Sequence, residues 1–274
     1  MEKLLLFAPQ WQDSGLTNEI YKGSCALKNY CEKMGSCKFK EVTIDDSSIP
    51  MLKNNIFGHD LIKDQLHRIR SLLNQEKPEK VYSLGGGCGI EVPIVFFLNE
   101  RYDKNISVFW FDAHGDLNTP ENSPSKHFHG MPLRFITDKV ENSLYQQTGF
   151  VSPGKITLLG TRDLDEPEKE FIDKKNMNVL KIDSSSFSEK VGMYIKNMDG
   201  SAYVHIDLDV IDPKYYRNVK CPTENGLSIE ELEKTIEIIN EKLDIVGYSI
   251  VENTEQNEAK IQKLKKIINI GFSF

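Results

Sequence analysis

Two short clusters of acidic and imidazole side chains carry most of the chemistry open to this chain. The first is Asp112, His114 and Asp116, inside the run VFWFDAHGDLNTPENSPSKHFHGMPLR from Val108 to Arg134. The second is His205, Asp207 and Asp209, in HIDLDVIDP. The first follows an apolar run, Ile106 to Phe111, and the second lies in and just after another, Ala202 to Leu208; both runs read as buried strands. Residues two apart on an extended chain share a face, so the alternating groups of each cluster are expected to point the same way. A buried strand ending in two same-side carboxylates is costly, because burial and mutual repulsion both penalise the charge. Cations remove that cost. Carboxylates with imidazole suit hard-to-borderline divalent ions such as Mn²⁺, and shared carboxylates can bridge two ions about 3.5–4 Å apart.

The elements that must position these groups follow from periodicity. Strands are predicted at Lys3 to Ala8, Phe39 to Ile44, Val81 to Leu84, Ile156 to Gly160, Val179 to Ile182 and Ile245 to Val251, besides the two above. Helices are predicted at Tyr21 to Met34, His59 to Gln75, Glu91 to Asn99, Pro167 to Lys175, Phe187 to Asn197, Ser228 to Lys242 and Gln256 to Ile268. Ser228 and Glu231 have capping-box spacing. About eight strands alternating with helices imply an α/β fold, with a mostly parallel sheet covered on both faces. No linker interrupts residues 1–274, which reads as a single domain. Ligands gather at the carboxyl ends of such strands. Cys88, Asp112, Asp165, Asp207 and Glu252 all fall at or just after them.

Composition narrows the field. The 274 residues carry a net charge of −7, which argues against a nucleic-acid surface. No run reaches the ~18–20 apolar residues of a membrane span. The N-terminal apolar run, Leu4 to Ala8, is too short for a signal-peptide core. The five cysteines are an odd number without secretory context, so free thiols and a cytoplasmic location are expected. Cys25, Cys31 and Cys37 match no common metal spacing. The glycine run Gly85 to Gly89 is neither a Walker loop nor a dinucleotide fingerprint. Its glycines fit a close backbone approach.

The segments DAHGDLNTPENSPSKHFHGMP and HIDLDVIDP resemble the signature motifs of the arginase/agmatinase/formimidoylglutamase (ureohydrolase) family. The resemblance covers most of the chain. It implies a three-layer α/β/α fold and a binuclear manganese centre that hydrolyses guanidinium or formimidoyl groups by attack of metal-activated hydroxide. It further implies that Asp112 and Asp207 bridge the metals, that His114 and Asp209 complete one shell, and that Asp116 serves the other metal and carries the proton to the leaving group. His129 matches a proton shuttle and Glu252 matches the carboxylate that pairs with the guanidinium. Asn118 and Ser125 match positions that hold a substrate α-carboxylate. Asp165 and Glu168 match acidic positions near its α-amino group, which favours an α-amino-acid guanidine over agmatine. His127 has no family role and is expected to be exposed. Family members are often trimers or hexamers, so the resemblance implies a homo-oligomer.

The pattern breaks at one place. The family's strand-to-glycine turn reads Gly-Gly-Asp-His-Ser, with the histidine on the first metal. Here it reads Gly85-Gly86-Gly87-Cys88-Gly89. A thiolate is softer than imidazole and favours zinc, iron or copper over manganese. The expected cofactor is therefore Mn²⁺, one or two per chain, with Zn²⁺ or Fe²⁺ as alternatives through Cys88. A binding or regulatory protein with an altered centre is the alternative to an enzyme. His205 lies on the same strand face as Asp207 and is a candidate to support the depleted position, as ligand or as neighbour of one. Cys221 takes the place of a usual threonine near the substrate, so two cysteines are expected to border one pocket. The Glu252 carboxylate is followed by Asn-Thr-Glu where the family has an Asn-Pro turn.

Overall fold

The computed structural model describes residues 2–45, 47–141, 144–146, 148–183 and 185–274. The strands are β1 (Lys3–Ala8), β2 (Lys40–Glu41), β3 (Leu52–Lys53), β4 (Ile56–Phe57), β5 (Lys80–Gly85), β6 (Ser107–Phe111), β7 (Ile156–Leu159), β8 (Asn178–Leu180), β9 (Ser201–Asp207) and β10 (Asp244–Val251). Eight of them form one parallel sheet in the order β2-β1-β5-β10-β9-β6-β7-β8. The remaining two, β3 and β4, make a small antiparallel hairpin.

Every residue of β6 is buried, as a strand covered on both faces requires. Its side chains alternate between two layers, Val108 and Trp110 into one, Phe109 and Phe111 into the other. The first layer is closed by helices α2 (His59–Glu76), α3 (Glu91–Arg101), α4 (Pro132–Thr137) and α5 (Glu166–Lys175). The second is closed by α1 (Glu19–Gly35), α6 (Phe187–Ile195), α7 (Ile229–Lys242), α8 (Glu258–Ile261) and α9 (Lys265–Ser273). On α2, Ile62, Leu66, Ile69 and Leu73 recur at helical spacing and are fully buried. Each contributes about 2 kcal/mol of burial.

The second strand is shorter than predicted. Only Lys40–Glu41 forms the exposed edge strand, and the last bond to β1 runs from the buried Val42 amide to the Phe7 carbonyl. The predicted C-terminal helix is broken by a tight turn at Gln262–Leu264 into α8 and α9. Ser228 caps α7 by accepting from the Glu231 amide, but the Glu231 carboxylate turns to the Ser188 amide instead of closing the box. The hairpin and α4 carry no periodic signal long enough to predict. Among the described residues, no helix is long and apolar enough to cross a membrane.

Candidate metal centre

The chain visits β5 and β6 early, then returns to insert β9 and β10 between them. The carboxyl ends of these four neighbouring strands open into one crevice, where an α/β sheet binds ligands. Cys88 arrives just after β5, Asp112 just after β6, Asp207 at the end of β9 and Glu252 just after β10.

Strand alternation explains only part of this convergence. The extended run of β6 stops at Phe111, and Asp116 is left-handed at φ 54°. Asp112, His114 and Asp116 are thus brought together by a folded loop, not by one strand face. Asp112 Oδ1 accepts the His114 amide at 2.6 Å, which curls that loop. Likewise β9 ends at Asp207, and Asp209 sits in a 3-10 turn whose amide donates to Asp207 Oδ1 at 2.8 Å.

Three overlapping groups of candidate ligands result, one of them Cys88, Asp207 and Glu252. The outer group is Asp112, His114 and Asp209. His114 Nδ1 lies 3.0 Å from Asp209 Oδ2 and 3.4 Å from Asp112 Oδ1. The inner group is Cys88, Asp112, Asp116 and His205, all buried, each offering one ligand atom within 4.8 Å of the others. Cys88 Sγ also donates to Asp207 Oδ2 at 3.2 Å. His205 points into the same layer as Asp112, with its ring stacked on Trp110 at 3.6 Å.

Glu252 closes the inner end. It is buried and left-handed at φ 65°. Its Oε1 accepts from Ser14 Oγ at 2.8 Å and from the Cys88 amide at 3.3 Å, and His129 Nδ1 is 3.4 Å away. Its Oε2 is buried without a partner. Asp13 and Ser14 escaped the sequence reading. Asp13 takes the Gly89 amide at 3.0 Å, and both side chains fill space beside the glycine run. A Cβ on Gly87 would meet Ser14 Oγ at 2.2 Å and the Asp13 carboxylate at 2.5 Å. The available signal was topological: β1 neighbours β5, so the loop after β1 also reaches the carboxyl edge.

Above the cluster lies a cavity of about 220 Å³. Its wall includes Asp116, His129, Glu252, Asn118, Ser125, Asp165, Glu168 and Cys221, with Asp207, Asp209 and His114 at its floor. The buried Cys88 and Asp112 are not part of the wall. Asn118 Nδ2 donates to Asp165 Oδ2 at 2.9 Å. Glu168 accepts the Leu117 and Asp165 amides and forms a capping box with Asp165, so much of its hydrogen-bonding capacity serves the backbone. Asp163, unmarked in the sequence reading, also lines the wall. His127 is not exposed as expected: it stacks on Phe57 at 5.1 Å, and burial lowers its pKa to about 4. Cys31, Cys37, Cys88 and Cys221 form no disulfide among the described residues. Burial pushes Cys221 up to about 12 and raises Cys88 well above its usual range, with Asp207 adding to the latter, so neither is a free thiolate by itself.

The electrostatics ask for a cation. Burial, then neighbouring carboxylates, raises Asp116 and Asp207 far above the usual carboxylate range. Burial and then Glu252 push Asp13 up to about 7. Burial disfavours the His114 cation, but Asp209 and Asp112 outweigh it and raise that imidazole strongly. Asp116 Oδ2 and His205 Nε2 are buried with no hydrogen-bond partner. Paired carboxylates, imidazoles and orphaned donor atoms together fit divalent metal ions.

Comparison with known proteins agrees. The Arginase family model matches residues 17–262. An arginase of Staphylococcus aureus is 32% identical over 204 residues, covering 69% of this chain and 67% of that one. The arginase structure from Bacillus caldovelox superposes with a TM-score of 0.82 at 23% identity, covering 99% of this chain and 97% of that one. The Entamoeba histolytica arginase solved in complex with L-ornithine gives a TM-score of 0.81 at 22% identity, covering 99% and 98%. These two structures share the fold. Taken with the match along residues 17–262, they leave one conclusion, that the chain belongs to the arginase family.

Proposed function

We propose that this chain is a metal-dependent hydrolase of C–N bonds in a small guanidino compound, an α-amino-acid guanidine by preference, and that it releases urea. A formimidoyl compound, another planar amidine, is the second substrate class and would yield an amide. The observation that carries the reading is Glu252, whose one oxygen is held by Ser14, the Cys88 amide and His129 while the other has no partner, at the wall of a cavity floored by carboxylates.

Asp112, His114, Asp116, Asp207, Asp209 and Cys88 would hold the metal, Mn²⁺ in the family pattern. Bound divalent ions lower the pKa of water and offset the buried carboxylates. The protein's own groups do the rest. Glu252 pairs with the planar cation and fixes its carbon above the cluster. Water oxygen adds to that carbon and the bond to the alkyl nitrogen breaks. Asp116 takes the water's proton and returns it to the departing amine. His129, with 19% of its side chain exposed, exchanges protons with solvent. Asn118 and Ser125 receive the α-carboxylate, and Asp165 and Glu168 draw in the α-amino group. L-Ornithine, found with the Entamoeba histolytica arginase, is what remains when arginine loses urea, which supports an amino-acid substrate. The free thiols of Cys88 and Cys221 suit a reducing cytosol.

The test is product release by metal-loaded protein offered L-arginine, agmatine, other guanidino acids and formimidoyl amino acids. Urea from an α-amino-acid guanidine, with little from agmatine, is expected. Metal-loaded protein that releases neither urea nor an amide from any of them overturns the reading.

A further inference from the structure

His205 is fully buried, yet its Nε2 has no hydrogen-bond partner. That atom lies 4.0 Å from Asp112 Oδ2. The other ring nitrogen, Nδ1, is 3.3 Å from Ser249 Oγ and 3.5 Å from Glu91 Oε1. Glu91 is itself fully buried at the start of α3, and its second oxygen accepts the Tyr203 hydroxyl. Trp110 stacks against the imidazole and donates its indole N–H to Asp112 Oδ2 at 3.2 Å. A hydroxyl partner on one ring nitrogen, with a buried carboxylate 3.5 Å from it, and no partner on the other nitrogen is how proteins orient a metal-binding histidine. No hydrogen bond explains Nε2, and a buried nitrogen left unpaired is destabilising.

We infer that Cys88, Asp112, Asp116 and His205 form a rebuilt inner metal position, selective for Zn²⁺ or Fe²⁺, in which His205 supplies the imidazole, the Ser249 hydroxyl holds its other nitrogen and the nearby Glu91 carboxylate favours that tautomer. The inference rests on the reading of this pocket as a metal centre and adds to it a ligand and a metal preference. The four candidate ligand atoms lie within 4.8 Å of one another, and those of a tetrahedral zinc site lie about 3–4 Å apart, so a small contraction suffices. Sulfur selects against Mn²⁺. The outer group, Asp112, His114 and Asp209, has no sulfur and keeps the donor type that Mn²⁺ accepts. Asp112 belongs to both groups, so the complete centre is mixed, with a thiolate-bound ion inside and a carboxylate-rich ion outside. Trp110 and Glu91 are positioning residues, because they act on the metal only through Asp112 and His205.

The experiment is X-ray absorption at the zinc edge on full-length His114→Asn protein carrying one equivalent of Zn²⁺, a variant that removes the outer imidazole. One sulfur at about 2.3 Å and one imidazole nitrogen at about 2.0 Å are expected. A sulfur-to-cobalt charge-transfer band in the Co²⁺-loaded wild type, lost in Cys88→Ser, supports the same assignment without needing a change at His205. Glu91→Gln should weaken Zn²⁺ binding by about 10–100-fold while keeping the band. Zinc bound without sulfur, or with sulfur but no imidazole, overturns the inference and leaves the metal centre standing. Failure of the wild type to retain Zn²⁺, Co²⁺ or Mn²⁺ overturns both.

Discussion

His114 and His205 both approach Asp112, but His114 has 30% of its side chain exposed and His205 has none. The outer half of the centre is made by a loop that is open to the cavity and is already charge-paired, since His114 sits between two carboxylates. The inner half is buried, has backbone packed closely on backbone at Gly86, and leaves ligand atoms without hydrogen-bond partners. The contrast teaches that a family motif can change its ligand in one half while the other keeps its pattern. Only the half without solvent needs a new partner for every buried atom.

The largest expected effect comes from Asp207, which accepts from Cys88 Sγ on the inner side and from the Asp209 amide on the outer. Asp207→Asn should cut turnover by more than about 100-fold, beyond the range typical of groups that merely support a ligand, and lower bound metal in elemental analysis. His114→Asn should lower only the outer ion. Equal losses from both variants would break the distinction between the halves.

Next in size is packing. A Cβ on Gly86 would sit 1.4 Å from the Gln10 carbonyl oxygen, whereas Gly130, at the outer wall, has no atom within 4 Å of its Cβ position. Gly86→Ala should cost about 3 kcal/mol or more, and Gly130→Ala within about 0.5 kcal/mol. Denaturant unfolding of the two variants would measure the difference.

Protonation sharpens the comparison further. Burial raises Asp13 to about 7 on the inner side and Glu168 to about 7 on the outer. Both acids then hold protons in the native state that the unfolded chain has released. Metal-free protein should therefore lose stability as pH rises from about 4 to about 7, by a few kcal/mol at most for each group. Asp13→Asn and Glu168→Gln should each flatten part of that slope in thermal unfolding with chelator. A stability that climbs across this window would contradict the assignment.

The smallest effect is at the rim. Ser125 is exposed, and Ser125→Ala should raise KM by about 2–10-fold with kcat unchanged, the worth of one hydrogen bond. A fall in kcat would place Ser125 nearer the reacting atoms than the rim.

Much of the molecule is legible in the sequence because the sheet is buried on both faces. Continuous apolar runs such as Ile106 to Phe111 mark its strands, and the helical stripe of α2 is equally plain. The residues Asp112, His114, Asp207 and Glu252 stand out because carboxylates and imidazole rarely end such runs without a cause. What is not legible depends on tertiary context. The left-handed turn at Asp116 and the 3-10 turn at Asp209 follow no side-chain period. Asp13 and Ser14 reach the glycine run across 70-odd residues of chain, and no local spacing announces them.

The position of β10 has a consequence for how the molecule comes into being. This strand, Asp244–Val251, lies between β5 and β9, and Glu252 beyond it accepts from Ser14, 238 residues away. During synthesis the middle of the sheet stays open until residues 244–251 emerge, after every other strand of the sheet. The edges of β5 and β9 remain unpaired for that interval, a hazard for association with other chains. Closure of such distant pairs is also slow, since loop entropy is lost before the contacts form. The crevice therefore forms late, once β10 has joined the sheet and Glu252 has met Ser14.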